Sequence, residues 1–173
     1  MYSGTLFERL AAAFSDGVAR GWSEAEFDGW ASEVFRRQFE LNAVYRGFCE
    51  ARGRGPDDVA SWTDIPAVPT SAFKHLDLSP GRQEAVFETS GTTRGPARRG
   101  RHGVPSLALY RAASLPGLKS HMALPAGGMR ILSLIPSVRD APRSSLSMMM
   151  AFALDAFGAE GSATVADPER GVD

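Results

Sequence analysis

Residues 85–102 constrain the fold of this chain more than any other stretch. Ala85, Val86 and Phe87 form a short apolar, β-prone run within an expected strand from Gln83 to Glu88. The run ends in Thr89-Ser-Gly-Thr-Thr-Arg-Gly-Pro96, followed by Arg98, Arg99, Arg101 and His102. Strand, small-residue turn and positive charge, in that order, give the composition of a loop that wraps an anion. Glycine admits positive φ and close backbone approach. Successive N–H groups can then converge on phosphate oxygens as a nest. Hydroxyls add donors, and arginine adds permanent charge in a fork geometry.

The stretch is not a Walker A loop, which needs glycine, four residues and then Gly-Lys-Ser/Thr. Read from its residues alone, it is either an anion-binding loop or a hydroxyl-rich surface turn, since Ser, Thr and Gly dominate turns generally.

Thr89-Ser-Gly-Thr-Thr-Arg-Gly-Pro96 resembles the phosphate loop of the adenylate-forming superfamily, usually Thr-Ser-Gly-Thr-Thr-Gly-x-Pro-Lys. Upstream, Ile65-Pro-Ala-Val-Pro-Thr-Ser-Ala-Phe-Lys74 resembles the segment before that loop in LuxE-type acyl-protein synthetases, the fatty acid–protein ligases. The two stretches, in this order and separated by a short spacer, are more specific together than either alone. The resemblance runs from about Trp62 onward. Arg94 stands where relatives have glycine, and Ala97 where they have lysine. A non-glycine residue at positive φ is uncommon, so Arg94 is expected at negative φ and Gly95 at positive φ. Arg98 or Arg99 would then supply the missing lysine's charge.

The resemblance implies an enzyme that activates a carboxylate, a fatty acid by family likeness, with ATP, assisted by Mg²⁺. Thr89, Ser90, Gly91, Thr92, Thr93 and Gly95 would hold the β- and γ-phosphates. The acyl group would pass to a protein acceptor, the protein partner being that acceptor or an acyl-donor or reductase protein. An acyl- or aryl-CoA ligase, or a non-catalytic interaction module that kept the fold, are the alternatives. Relatives also carry a later Tyr-Gly-x-Thr/Ser-Glu motif, a ribose-binding aspartate and a lysine on a mobile C-terminal domain. No Tyr-Gly pair occurs here, so the chain reads as the N-terminal portion of a longer enzyme. No catalytic residue and no metal ligand is assigned.

A chain of 173 residues with 43% hydrophobic and 23% charged residues can bury a core. Its net charge of −1 gives no bulk attraction to nucleic acid or membrane. No apolar run approaches the roughly 18 residues that span a bilayer, and Leu6 to Phe14 is interrupted by Glu8 and Arg9, unlike a signal peptide. Cys49 is the single cysteine, which excludes an internal disulfide and suits a cytoplasmic setting. It is expected as a partly buried structural residue.

In chain order, Thr5-x-x-Glu8 and Ser23-x-x-Glu26 read as capping boxes. Leu6, Phe7, Leu10 and Phe14 continue the first helix. Phe27, Trp30, Val34, Leu41, Tyr45 and Phe48 form a helical stripe assigned to packing, on one long helix or two joined ones ending near Gly53. Arg52 to Asp58 reads as a linker. The prolines of Ile65 to Pro69 stiffen the chain, and Thr70 or Ser71 would cap a short turn carrying Phe73 and Lys74. Lys74 is a candidate anion contact or an exposed lysine. Ser106 to Met122 is helical, with a break or kink at Pro116 and Gly117; His121 reads as a satisfied histidine. Met129 to Pro136 is a near-continuous apolar strand of the kind covered on both faces. Ser144 to Phe157 is a helix stopped by Gly158, well buried around Met148 to Met150, and Ser162 to Val165 begins another strand. The fold class is therefore α/β. A helical segment over 1–60 precedes part of a mainly parallel sheet flanked by helices over 61–173, an incomplete adenylate-forming N-terminal domain. Val86–Glu88 and Ile131–Ile135 are expected as neighbouring strands.

Overall fold

Capping sets the first two helices. The computed structural model describes residues 5–16, 20–79, 81–89, 99–125, 128–167 and 171–172. Helix α1 (Leu6–Ser15) starts where the Glu8 N–H donates to Thr5 Oγ1, while the Thr5 N–H donates to Glu8 Oε2 at 2.7 Å. Helix α2 (Glu24–Leu41) repeats this reciprocal arrangement with Ser23 and Glu26. Among the described residues the architecture is mixed α/β, with five α-helices and three two-stranded sheets. No described helix is long and apolar enough to cross a membrane. The chain groups into two units, Gly21–Pro105 and Met1–Arg20 with Ser106–Asp173. This division cuts the chain at residues 20 and 105, whereas the composition suggests a change near residue 60.

In the Gly21–Pro105 unit, Asn42 ends α2 and begins α3 (Ala43–Glu50). Its own N–H donates to the Gln38 carbonyl at 2.9 Å, and its Oδ1 accepts from the Tyr45 N–H at 2.9 Å. One buried residue therefore serves both helix ends, the first through its backbone N–H and the second through its side chain. Helix α3 closes on Gly53, whose φ of 62° is the left-handed turn that glycine adopts freely. The stripe read as core is buried only at its centre. Phe35 is buried and meets Phe39 and Tyr45 edge-on at 6.0 Å. Phe27 and Leu41 are each 42% exposed. Cys49 is fully buried. Tyr45 Oη donates to the Pro66 carbonyl at 2.9 Å, tying the proline-stiffened segment to α3.

A 3-10 turn at Trp62–Asp64 is held by Asp28, which accepts from the Trp62 N–H at 2.7 Å. A second, Thr70–Lys74, begins after Pro69 with no side-chain cap, so neither Thr70 nor Ser71 caps it. Strand β1 (Ala85–Glu88) then pairs antiparallel with β2 (Arg101–Val104), in register Val86 with Gly103 and Glu88 with Arg101. The expected neighbouring of Val86–Glu88 and Ile131–Ile135 is not seen among the described residues: β1 pairs with β2, and Leu132–Ser133 belongs to a different sheet. β1 is hydrogen-bonded to the strand that follows the loop, and β2 was read as part of a basic loop.

The other unit packs α1 against α4 (Leu107–His121), with Leu10 and Ala13 buried. α4 starts on Ser106, whose Oγ accepts the Leu109 N–H, and runs through Pro116 rather than ending there. Its contact with α5 (Ser145–Phe157) carries a 2.6 Å ion pair between Arg111 and Asp155 and a bond from Tyr110 Oη to the Ser145 carbonyl. β3 (Leu132–Ser133), α5 and β4 (Ala163–Thr164) form a parallel β-α-β unit, Leu132 opposite Ala163. β5 (Ala166–Asp167) pairs antiparallel with β6 (Gly171–Val172). The expected double coverage of the Met129–Pro136 run is not seen: Leu132 is 53% and Leu134 61% exposed, while Ser133 between them is buried. Nor is α5 deeply buried around its methionines. Met148, Met149 and Met150 are half-buried, and Ser147 and Ala153 occupy its inner positions.

Candidate functional site

The β1–β2 hairpin positions the segment that carries the sequence motif. Thr89 and Gly100 close its neck with two bonds. The Thr89 N–H donates to the Gly100 carbonyl at 2.9 Å, and the Gly100 N–H donates to Thr89 Oγ1 at 2.9 Å. Gly100 is buried, and a Cβ there would lie 3.3 Å from Thr89 Cγ2 and 3.4 Å from the Phe73 carbonyl oxygen. Of the residues expected to hold phosphates, Thr89 stands at this neck with its Oγ1 already accepting one bond. Ser90, Gly91, Thr92, Thr93 and Gly95 lie outside the described residues, as does Arg94 and the φ angles expected there.

Strand alternation sorts the flanking charges. Residues two apart share a face, so Arg99, Arg101 and Gly103 stand opposite Glu88 and Val86 on one face. On the other, Phe87 is buried and His102 stacks on Phe73 at 4.4 Å between ring centroids. The charged face looks into a cleft of about 220 Å³ whose far wall is the 73–79 segment. Gly103 lets Ser79 and Gln83 lie directly against the strand; a Cβ at 103 would collide with Ser79 Oγ and with Gln83, whose Cγ would be 2.8 Å away.

The polar groups of the cleft hold one another. Arg99 lies 3.8 Å from Glu88, whose side chain is 14% exposed. The Ser79 N–H donates to Asp77 Oδ1 at 3.0 Å. Bonds from the Ser79 hydroxyl and N–H, with the nearby Arg101 charge, hold the Asp77 carboxyl below its ordinary range. Lys74 sits at the end of its 3-10 turn, exposed, and lines the same cleft.

No family model, curated protein or solved structure matches this chain. The cleft is therefore judged on its own chemistry. Its basic side chains attract an anion, and its apolar wall of Phe73, Leu76 and Val86 accepts an apolar body. Among the described residues no group of three or more His, Cys, Asp or Glu is placed to hold a metal ion. Lys74 was legible in the sequence as a candidate anion contact. The facing of Arg99 and Arg101 into one cleft was not. The period-2 spacing of Arg99, Arg101 and Gly103 is the signal that could have found it.

Away from the cleft, Cys49 and Tyr45 are chemically quiet. Burial pushes the Cys49 thiol up, against the opposing influence of Tyr45 and Arg52, and burial also raises the Tyr45 phenol. A protonated, inaccessible thiol is a poor nucleophile.

Proposed function

We propose that this chain is the carboxylate-activating, N-terminal portion of an ATP-dependent acyl-protein synthetase of the LuxE type. The observation that carries the proposal is the hairpin neck. The 90–98 segment, which bears the phosphate-loop motif, leaves β1 and re-enters β2 through the paired bonds of Thr89 and Gly100. A loop held at a fixed neck loses less conformational freedom when it closes on an anion. Arg99, just before β2, and Arg101 on it line the cleft and add positive potential beside that neck.

In this reading the 89–95 stretch takes a nucleotide polyphosphate. Ser90, Thr92 and Thr93 would donate hydroxyls, Gly91 and Gly95 would admit close backbone approach, and Thr89 would hold the neck. A carboxylate oxygen attacks the α-phosphorus of ATP, the bond to the bridging oxygen breaks, and diphosphate departs with its electron pair, leaving an acyl-adenylate. The chain's contribution is to align two anions that repel each other and to stabilise the phosphoryl charge. Transfer of the acyl group to a protein acceptor completes the proposed reaction.

The test is binding of ATP to the wild-type protein and to Gly91→Val, together with carboxylate-dependent exchange of labelled diphosphate into ATP. Binding that Gly91→Val abolishes while the far-ultraviolet spectrum is unchanged supports the reading. Absence of ATP binding, or equal binding by both proteins, refutes it.

A further inference from the structure

We propose that the aromatic surface made by Phe27 and Trp62, within the Gly21–Pro105 unit, docks an arginine side chain of a partner protein, with Asp28 as its counter-charge. The proposal does not depend on the carboxylate-activating reading.

Local packing explains only part of this surface. Trp22 precedes the Ser23 cap and Phe27 is the fourth helical residue, so their contact at 6.3 Å is a hydrophobic staple that fixes the entry into α2. Phe27 also meets Trp62 edge-on, with ring centroids 5.5 Å apart and 89° between the planes. In spite of these contacts Phe27 stays 42% and Trp62 45% exposed. Two touching rings that both keep this much surface in water offer a partner an apolar contact. Tryptophan and arginine are also the residue types that concentrate binding energy at protein interfaces.

Charge selects the kind of partner. Asp28 follows Phe27 on α2, and its Oδ1 accepts from the Trp62 N–H at 2.7 Å and the Ser61 hydroxyl at 3.2 Å. Among the described residues its Oδ2 takes no hydrogen bond, and Glu24, Asp28 and Asp64 make no ion pair. Glu24 lies one turn before Asp28 on α2, and Asp64 two residues after Trp62. Residues 21–35 carry four carboxylates and residues 55–73 carry three, with no lysine or arginine in either stretch. Asp57 among them pairs with Arg36 at 3.7 Å. Aromatic rings rimmed by carboxylates repel nucleic-acid phosphates and anionic lipid, and attract a cation.

The same chain stacks its own arginines on ring faces, Arg52 over Phe48 at 3.6 Å and Arg111 over Phe152 at 5.3 Å. Among the described residues no cation lies over Phe27 or Trp62. Arginine is favoured over lysine because its planar guanidinium stacks on a ring while its fork reaches a carboxylate.

The test is titration of the whole protein with the peptide acetyl-Gly-Arg-Gly-Arg-Gly-amide and with its neutral citrulline counterpart. The indole N–H resonances of the three tryptophans locate binding, and calorimetry gives the affinities. The arginine peptide should shift the Trp62 resonance saturably, and the citrulline peptide should not. Asp28→Asn keeps an acceptor for the Trp62 N–H and removes the charge; it should weaken binding roughly tenfold, since a charge-assisted bond is lost. Trp62→Leu keeps apolar bulk and removes the ring face; it should weaken binding about two- to fivefold. The proposal is overturned if the arginine peptide gives no saturable shift at Trp62, if the citrulline peptide binds equally well, or if either variant binds unchanged. Trp62-dependent binding to phosphatidylserine vesicles would make the surface a membrane contact and overturn it too. So would tighter peptide binding by the double variant Arg94→Gln, Arg98→Gln, because the chain's own arginines would then be the occupants.

Discussion

Replacing Thr89 by valine isolates the neck bond. Valine keeps both branches at Cβ and exchanges the hydroxyl for a methyl, so the contact with Gly100 is preserved while the acceptor is lost. The Gly100 N–H, bonded to Thr89 Oγ1 at 2.9 Å, belongs to a buried residue. Leaving such a donor unsatisfied costs about 1–3 kcal/mol. For a unit the size of Gly21–Pro105, each kcal/mol moves the melting temperature by about 4–8 °C, which predicts a fall of about 4–24 °C. Trp22, Trp30 and Trp62 all lie in that unit, so tryptophan fluorescence during urea unfolding reports on it alone. Thr89→Ser keeps the acceptor and should lose less than Thr89→Val. Amide exchange at Gly100 should accelerate in Thr89→Val and not in Thr89→Ser. If the valine variant unfolds at the wild-type midpoint, or if serine is as damaging as valine, the hydroxyl does not hold the neck.

Two further outcomes are expected. Gly103→Ala should destabilise the protein by about 1–3 kcal/mol through overpacking against Ser79 and Gln83; an unchanged urea midpoint would contradict the close approach seen there. Cys49 should resist thiol reagents until urea is added. Its folded pKa is raised, so the unfolded thiol ionises first as pH passes about 8.5. Stability contributed by this group is complete below that value and falls as pH rises; urea midpoints that rise from neutral to alkaline pH would refute this.

Much of the local structure was legible because it is decided within a few residues. The capping boxes at Thr5 and Ser23 start helices where the spacing of Ser/Thr and Glu requires. Ser144 and Gly158 bound α5, as the apolar run between them implies. The join between α2 and α3 was legible only as an alternative, since Asn42 shows its two roles once both helix ends are in place. What escaped was pairing. Arg101-His-Gly-Val104 has the composition of a loop and becomes a strand because β1 offers its edge. The apolar Met129–Pro136 run suggests burial on both faces, yet its parallel pairing with β4 leaves Leu132 and Leu134 in solvent. The cleft required both facts, the strand and its facing, which no window of adjacent residues contains. Thr89 is the part of the expected phosphate loop that the structure places, and it closes the neck.

The packing of α1 on α4 also bears on synthesis. Residues 21–105 form a unit interposed between these two partners. At about 5–20 residues per second on the ribosome, α1 waits about 5–20 s for α4 to be made. During that wait its apolar stripe, including Leu10 and Ala13, lacks the helix it packs on, while residues 21–105 have already been synthesised. Until α4 emerges, α1 therefore presents a holding chaperone with an apolar helix face.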